Sequence, residues 1–187
     1  MSLDRALGTA DHVTAQLVAM KKHVAPLLGA LWAFAVPAQE PVLAAADPEA
    51  LFTDADPVQH ANKQVVLHVL RELLQCNQWE QADRWLTERY LQHNPNVVSG
   101  RDNVVKYFSG QPRTSTCGKL TLPIVTVLTS GNIVGVVFRM EYDDPRKPGA
   151  KYTSIWYDQW RIVDGRADEH WDTATLGPMT TTLTQPQ

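Results

Sequence analysis

The sequence predicts an α+β fold in which a curved antiparallel sheet is packed on one face by N-terminal helices. Apolar residues recur with helical spacing between 58 and 108, and β-branched segments with strand character follow between 119 and 174. Helices followed by a run of antiparallel strands are typical of α+β architectures. The sequence shows no internal repeat, so we expect a single domain with additional segments.

Three helices are predicted in the first half of the domain. The first begins at Pro57, behind the capping residue Asp56, and keeps an apolar stripe to about Cys76. The second covers 79–90 and the third covers 102–108. The stretch YLQHNPNVVSG separates them, because its proline and glycine cannot extend a helix.

Four strands are predicted in the second half. They end at turn signals such as Ser130-Gly131-Asn132 and Asp164-Gly165. The segments are KLTLPIVTVLTSG (119–131), NIVGVVFRMEYDD (132–144), KYTSIWYDQWRIV (151–163) and RADEHWDTA (166–174). A strongly curved sheet that is closed by helices encloses a pocket, and such pockets are the usual ligand sites.

The N-terminal segment predicts export. A basic stretch at 20–23 precedes an apolar run at 24–36, and small residues follow up to Ala38. The run is shorter than the ~20 apolar residues of a transmembrane helix, so we expect no stable membrane insertion. We therefore expect translation to start at Met20, cleavage near Ala38, and a secreted or periplasmic protein. The alternative is an amphipathic helix that packs on the domain.

The predicted organisation has four parts. An N-terminal extension with the signal peptide occupies 1–38, and a linker rich in alanine, proline and aspartate occupies 39–57. The domain covers 58–176, and a flexible tail rich in threonine, proline and glutamine covers 177–187.

Charge and cysteine content narrow the range of partners and cofactors. The formal net charge is −3 without a basic stripe, so we expect no nucleic-acid partner. An oxidising compartment would allow a disulfide between Cys76 and Cys117, and two buried free thiols are the alternative. Neither cysteine has metal-ligand spacing to a second Cys or His, so we predict no metal.

The stretch YDQWRIVDGRADEHWD, at 157–172, predicts a hairpin with two unlike faces. Asp164-Gly165 favours a two-residue turn, so the pairing can be counted outward from Val163 and Arg166. Opposed residues share a face, and faces alternate along each strand. The count predicts an aromatic face with Trp156, Asp158, Trp160, Ile162, Ala167, Glu169 and Trp171. It predicts a solvated face with Tyr157, Gln159, Arg161, Asp168, His170 and Asp172, and an Arg161–Asp168 ion pair.

Two carboxylates on the aromatic face are the candidates for chemistry. A carboxylate among tryptophans loses solvation, which suits it to act as a general acid/base. Asp158 is the predicted catalytic residue, whereas Glu169 lies nearer the turn and is expected at the rim of the site. For Asp158, a buried and hydrogen-bonded structural role is the alternative, and for the tryptophans the alternative is a plain core.

Two motifs resemble those of the SnoaL-like polyketide cyclases, a group of the nuclear transport factor 2-like (NTF2-like) superfamily. They are YLQHNP at 90–95 and DQWRIVDGRADEHWD at 158–172, and they occur in the family's order. The resemblance covers about 58–176. It implies an NTF2-like cone-shaped α+β fold with a deep apolar pocket, often forming a homodimer through the sheet.

The resemblance also implies a reaction. These cyclases close a ring by intramolecular aldol condensation without metal or cofactor, and a pocket aspartate takes a proton from a carbon between carbonyls. Asp158 stands at that motif position, and His93 and Asn94 match the early motif. Many members carry a histidine in the middle strand, where this chain has Val-Val-Phe at 136–138.

We therefore predict an acid/base enzyme of cyclase or isomerase type that needs no cofactor. Its substrate would be a small hydrophobic carbonyl compound, bound by His93, Asn94, Trp156, Trp160, Glu169 and Trp171. One alternative is an exported protein that binds a small apolar ligand without turnover. Another is a dimeric interaction module, which the polar sheet face disfavours.

Overall fold

The computed structural model describes residues 40–110 and 117–177, which form helices and a five-stranded sheet. A 3₁₀ turn at Glu49–Phe52 precedes α1 (Pro57–His68), which continues as a π-helical stretch, Val69–Gln75. After a 3₁₀ turn at Trp79–Gln81 come α2 (Ala82–Trp85), β1 (Leu86–Gln92) and α3 (Arg101–Phe108). The other strands are β2 (Ile124–Ser130), β3 (Ile133–Asp143), β4 (Lys151–Val163) and β5 (Arg166–Asp172).

The sheet has the order β1-β5-β4-β3-β2. The pairs β2–β3, β3–β4 and β4–β5 are antiparallel, as predicted, whereas β1 pairs parallel with β5. The α+β fold class is therefore confirmed, with a mixed sheet in place of a purely antiparallel one. No helix within 40–110 or 117–177 is long and apolar enough to cross a membrane.

Helix α1 confirms the predicted start at Pro57. The Asp56 carboxylate accepts hydrogen bonds from the backbone N–H groups of Val58 and Gln59, at 2.8 and 3.0 Å. This cap satisfies two of the N–H groups that have no partner within the helix. Val66 and Leu70 are fully buried, so α1 and its π-helical continuation contribute one side of the core.

The predicted helix over 79–90 is wrong in its second half. The helical turns end at Trp85, and the chain continues as β1 along the edge of β5. Leu86 and Tyr90 are buried there, and Thr87 and Arg89 bind the side chain of Asp168. These tertiary contacts, together with the free edge of β5, outweigh local helix propensity.

The turn of the β4–β5 hairpin is as predicted, but the pairing beyond it is not. Asp164 and Gly165 both have positive φ, 48° and 71°, as a type I′ turn requires. Ile162 pairs with Ala167, and Arg161 then pairs with Glu169. Asp168 is therefore an extra residue in β5, a β-bulge that shifts the rest of the ladder by one residue.

The segment predicted as a linker is packed on the domain. The Val42 N–H donates to Thr153 Oγ1 at 2.7 Å, and Arg139 Nε donates to the Val42 carbonyl at 3.0 Å. Phe52 is fully buried in the core. Apolar burial of this kind holds the segment in place, which its composition did not indicate.

A disulfide joins Cys76, after the π-helical stretch, to Cys117, ahead of β2. Of the two alternatives for these cysteines, the structure shows the disulfide. The predicted signal peptide, the cleavage near Ala38 and the tail beyond residue 177 lie outside the described residues.

Candidate functional site

The bulge at Asp168 decides which side chains of β5 face the interior. Beyond it, His170 lies opposite Trp160, and Asp172 lies opposite Asp158. Opposed residues share a face, so these two residues join Asp158 on the side that packs against the helices. The predicted faces are therefore reversed for this part of β5. Glu169 and Trp171, expected inside, lie on the outer face.

Three ionisable side chains meet on the inner face, and we call Asp158, His170 and Asp172 the inner cluster. One carboxylate oxygen or ring nitrogen of each lies within 4.8 Å of the others. Asp158 is 2% exposed and His170 7%, whereas Asp172 is half-buried. His170 Nε2 lies 3.7 Å from Asp158 Oδ1, which also accepts a hydrogen bond from Trp156 Nε1 at 2.6 Å.

The end of β1 fixes the orientation of the inner cluster. Gln92 pairs with His170 across the sheet, and its amide oxygen lies 2.9 Å from His170 Nδ1. An amide oxygen can only accept, so Nδ1 carries a proton, and in the neutral ring it is Nε2 that points at Asp158 with a lone pair. Two residues on, Asn94 Nδ2 donates to Asp172 Oδ2 at 2.6 Å. The YLQHNP motif thus supplies both supports.

The buried aromatic rings of Tyr90 and Trp160 lie beside His170 of the inner cluster. Trp160 is 1% exposed, its Nε1 donates to the Tyr90 hydroxyl at 2.9 Å, and its ring centroid is 5.0 Å from that of His170. Burial, and in second place the charges of Asp158 and Asp172, raise the pKa of Tyr90 far above its usual value. The phenol therefore stays protonated.

The outer face carries the same residue types in a different arrangement. Glu169 accepts from Arg161 Nε at 2.8 Å and lies 2.9 Å from His93 Nε2. The His93 ring stacks on Trp171, with centroids 5.1 Å apart, and the Arg161 guanidinium lies 5.4 Å from the Trp171 ring. The guanidinium, followed by His93, lowers the pKa of Glu169. We call His93, Arg161, Glu169 and Trp171 the outer ladder.

The predicted Arg161–Asp168 ion pair is wrong, because the bulge moves Asp168 toward β1. There its carboxylate accepts from Thr87 Oγ1 and Arg89 Nε, both at 2.8 Å, and also binds Arg89 Nη2. Asp168 is 2% exposed, and the Arg89 contacts lower its pKa.

Two surface cavities do not reach the inner cluster. One, of about 410 Å³, is lined by Ala44–Ala46, Pro48 and Lys119–Pro123. The other, of about 300 Å³, is lined by Asp144–Arg146 and Tyr152. Because Asp158 is almost fully buried, a compound could reach it only if the side chains around the inner cluster move apart.

The predicted site residues separate into two groups. Asp158, Trp156, Trp160 and Asn94 lie on or beside the inner cluster, whereas His93, Glu169 and Trp171 belong to the outer ladder. Sequence reasoning missed Gln92, His170 and Asp172. Predicting a strand over 86–92 would have indicated that Gln92 faces the interior, because adjacent residues on a strand face opposite sides of the sheet. The bulge that turns His170 inward has no such signal.

The chain resembles known proteins both in its sequence pattern and in its fold. The model of the SnoaL-like domain matches residues 66–170. No curated protein matches. A solved structure assigned as a SnoaL-like polyketide cyclase, from Jannaschia sp. CCS1, is 18% identical, with a TM-score of 0.46 over 65% of this chain and 91% of that one.

Two further solved structures show similar agreement. An NTF2-like protein of unknown function from Burkholderia pseudomallei is 16% identical, with a TM-score of 0.44 over 62% of this chain and 91% of that one. A protein assigned as a ketosteroid isomerase, from Kribbella flavida, is 15% identical, with a TM-score of 0.42 over 68% of this chain and 89% of that one. At these TM-scores the similarities carry no argument about activity.

Proposed function

Because the chain belongs to the SnoaL-like domain family, we propose that it is an acid/base enzyme in which Asp158 transfers a proton on a small hydrophobic carbonyl compound. One observation carries the proposal. Asp158 is 2% exposed, yet its carboxylate lies 3.7 Å from an imidazole nitrogen. A buried carboxylate beside a second proton-binding group is the arrangement that general acid/base catalysis uses.

The reaction would be an aldol-type cyclisation or an isomerisation. Asp158 takes a proton from the carbon between two carbonyl groups, and the resulting enolate attacks a second carbonyl or is protonated elsewhere. His170 supplies the imidazole that the middle strand lacks in this chain. With its Nδ1 proton held by Gln92, the ring presents Nε2 to Asp158, from which it can receive and return the proton. These steps require no cofactor.

The surroundings of Asp158 support a small apolar substrate. Across the sheet it lies opposite Val136, and the next inward positions are Trp156 and Trp160. Contact with such side chains favours apolar groups, while the few polar atoms of the cluster would orient a carbonyl compound. The side chains must separate to admit it, so we expect turnover to depend on motion of the inner face.

The Asp158→Asn variant tests this proposal. The amide keeps the shape of the side chain and can still accept from Trp156, but it cannot take a proton at neutral pH. With a 1,3-dicarbonyl or enone compound that the wild type converts, we expect turnover to fall by roughly 10²–10⁴-fold, with an unchanged circular dichroism spectrum. Unchanged turnover would refute the role of Asp158.

The same compounds separate catalysis from binding alone. If the protein only carries an apolar ligand, the wild type binds such compounds saturably and converts none of them. In that case Asp158→Asn changes ligand affinity at most.

We further propose that the protein is exported. The disulfide between Cys76 and Cys117 supports this, because disulfides persist mainly in oxidising compartments. The basic, apolar and small-residue segments before Gln39 support it independently. N-terminal sequencing of the protein from the extracellular or periplasmic fraction should begin near Gln39. An intact N-terminus, found only in the cytoplasm, would contradict export.

A further inference from the structure

The inner cluster is a group of three metal-ligand side chains with an incomplete charge balance. Two carboxylates and one imidazole place ligand atoms within 4.8 Å of one another. The nearby guanidinium groups of Arg161 and Arg89 bind Glu169 and Asp168 instead. Among the described residues, His170 is the only ion-pair partner of Asp158. Buried negative charge of this kind requires a proton or a cation nearby.

In the neutral ring, the hydrogen bond from His170 Nδ1 to the Gln92 amide oxygen leaves a lone pair on Nε2. That nitrogen lies 3.7 Å from Asp158 Oδ1, a second atom with lone pairs. The His170 side chain is more than nine-tenths buried, because only 7% of its surface is exposed. Two lone pairs facing each other at this distance repel unless a positive charge lies between them. A proton on the imidazole satisfies the pair, and so does a divalent cation that binds both atoms.

Each residue of the inner cluster also has an outer partner of the kind found around metals. Gln92 holds the far nitrogen of His170, Asn94 donates to Asp172, and Trp156 donates to Asp158. The amide oxygen of Asn94 is occupied by the Asn96 N–H at 2.9 Å, which fixes the direction of its NH₂ group. Such outer partners orient ligands and set the histidine tautomer in metal sites. Here they hold the three ligand side chains in fixed orientations.

From this geometry we infer that Asp158, His170 and Asp172 bind one first-row divalent cation, such as Zn²⁺, with other coordination positions left open. Mixed imidazole and carboxylate ligands suit Zn²⁺, Mn²⁺ or Fe²⁺ better than Mg²⁺ or Ca²⁺. Donor atoms around one such ion lie roughly 3–4 Å apart, given ligand bonds of about 2.1 Å. The cluster, whose ligand atoms lie within 4.8 Å of one another, therefore needs to contract by roughly 1–2 Å at most.

This inference does not rest on the proposed reaction. In that reaction the cluster shares a proton, whereas here the cation displaces it. Binding should therefore release protons, weaken as the pH falls, and inhibit any turnover that depends on Asp158. A protein that turns over substrate but binds no cation would refute the inference alone. One that binds the cation but has no turnover would refute only the proposed function.

The test is titration calorimetry of the untagged full chain with Zn²⁺, after treatment with a chelator. We expect one Zn²⁺ per chain, and at least tenfold weaker binding in Asp172→Asn, because a neutral amide is a weaker ligand for Zn²⁺ than a carboxylate. Gln92→Met keeps all three ligands but frees the ring of His170, so we expect roughly 10–100-fold weaker binding. His60→Asn, a histidine on α1 outside the cluster, is the matched control and should bind like the wild type.

Two results would overturn the inference. One is the absence of saturable binding at millimolar Zn²⁺ in a folded wild-type protein. The other is equal affinity in the wild type, Asp172→Asn and Gln92→Met, which would place the ion elsewhere on the chain. Gln92→Met retains every ligand. If Asp172→Asn fails to fold, the Zn²⁺ affinity of Gln92→Met therefore still tests whether the ion binds at the inner cluster.

Discussion

The inner cluster and the outer ladder lie on opposite faces of the same hairpin and contain similar residues. Each has a histidine and at least one carboxylate beside a tryptophan. In the outer ladder, Glu169 is paired with both Arg161 and His93. In the inner cluster, two carboxylates lie near one imidazole, and of the two Asp158 is almost fully shielded from water. The comparison teaches that the same residue types can be paired with opposite charges on one face of a hairpin and left with fewer charged partners on the other.

The largest expected difference between the two faces is in turnover. If the inner cluster performs proton transfer, His170→Gln should lower turnover by about 100-fold or more, because a positioned acid/base group contributes roughly 10²–10⁴-fold. His93→Gln, on the outer face, should leave turnover within about twofold. The measurement is the steady-state rate of each variant on a compound that the wild type converts.

The opposite order of effects would break the comparison. If His93→Gln abolished turnover and His170→Gln did not, the sequence-based assignment of His93 to the substrate site would be right after all.

A smaller difference is expected in how much stability the protein loses when a carboxylate is replaced in the bulge or in the outer ladder. Asp168 is 2% exposed and bonded to Thr87 and Arg89, whereas Glu169 pairs with a partly exposed Arg161. Hydrogen bonds to a charged group contribute about 1.5–3 kcal/mol, so Asp168→Asn should lower the free energy of unfolding by roughly 2 kcal/mol. Glu169→Gln should cost less than about 1 kcal/mol. Urea unfolding measures the free energy of unfolding of both variants. Equal losses in the two variants would show that Asp168 in the bulge stabilises the fold no more than Glu169 does.

The same aspartate predicts a loss of stability in acid. The Arg89 contacts lower the pKa of Asp168 in the folded state below its unfolded value of about 3.9. The folded chain therefore binds this proton less readily than the unfolded chain. The resulting stabilisation is present above pH ~4 and is lost as the pH falls through the lowered folded pKa. Urea midpoints measured on both sides of that pH should fall less in Asp168→Asn than in the wild type.

Local patterns in the sequence predicted most of the fold. The Asp56 cap, the Asp164-Gly165 turn and the four predicted strand segments depend on a few neighbouring residues, and the structure confirms all of them. The strand β1 was missed because residues 79–90 have helical spacing, and only the distant edge of β5 favours an extended chain there.

The candidate site was predictable only in part, because it depends on one extra residue. The extra residue belongs to β5, so the alternation along β4 is unbroken and counting from the turn placed Asp158 on the inner face correctly. The same count failed for His170 and Glu169, since Asp168 leaves the ladder to meet Thr87 and Arg89 on β1. That contact spans about 80 positions in the chain. Alternation within the hairpin cannot reveal it.

The most direct test of the account is the position of the ring proton on His170. In metal-free protein, at a pH where the ring is neutral, we predict a proton on Nδ1, held by the Gln92 amide oxygen, and a bare Nε2 that faces Asp158. NMR correlations between ring protons and ring nitrogens identify the tautomer, and His170→Gln assigns the signals. A proton on Nε2 with a bare Nδ1 would contradict the account, because no lone pair would then face Asp158.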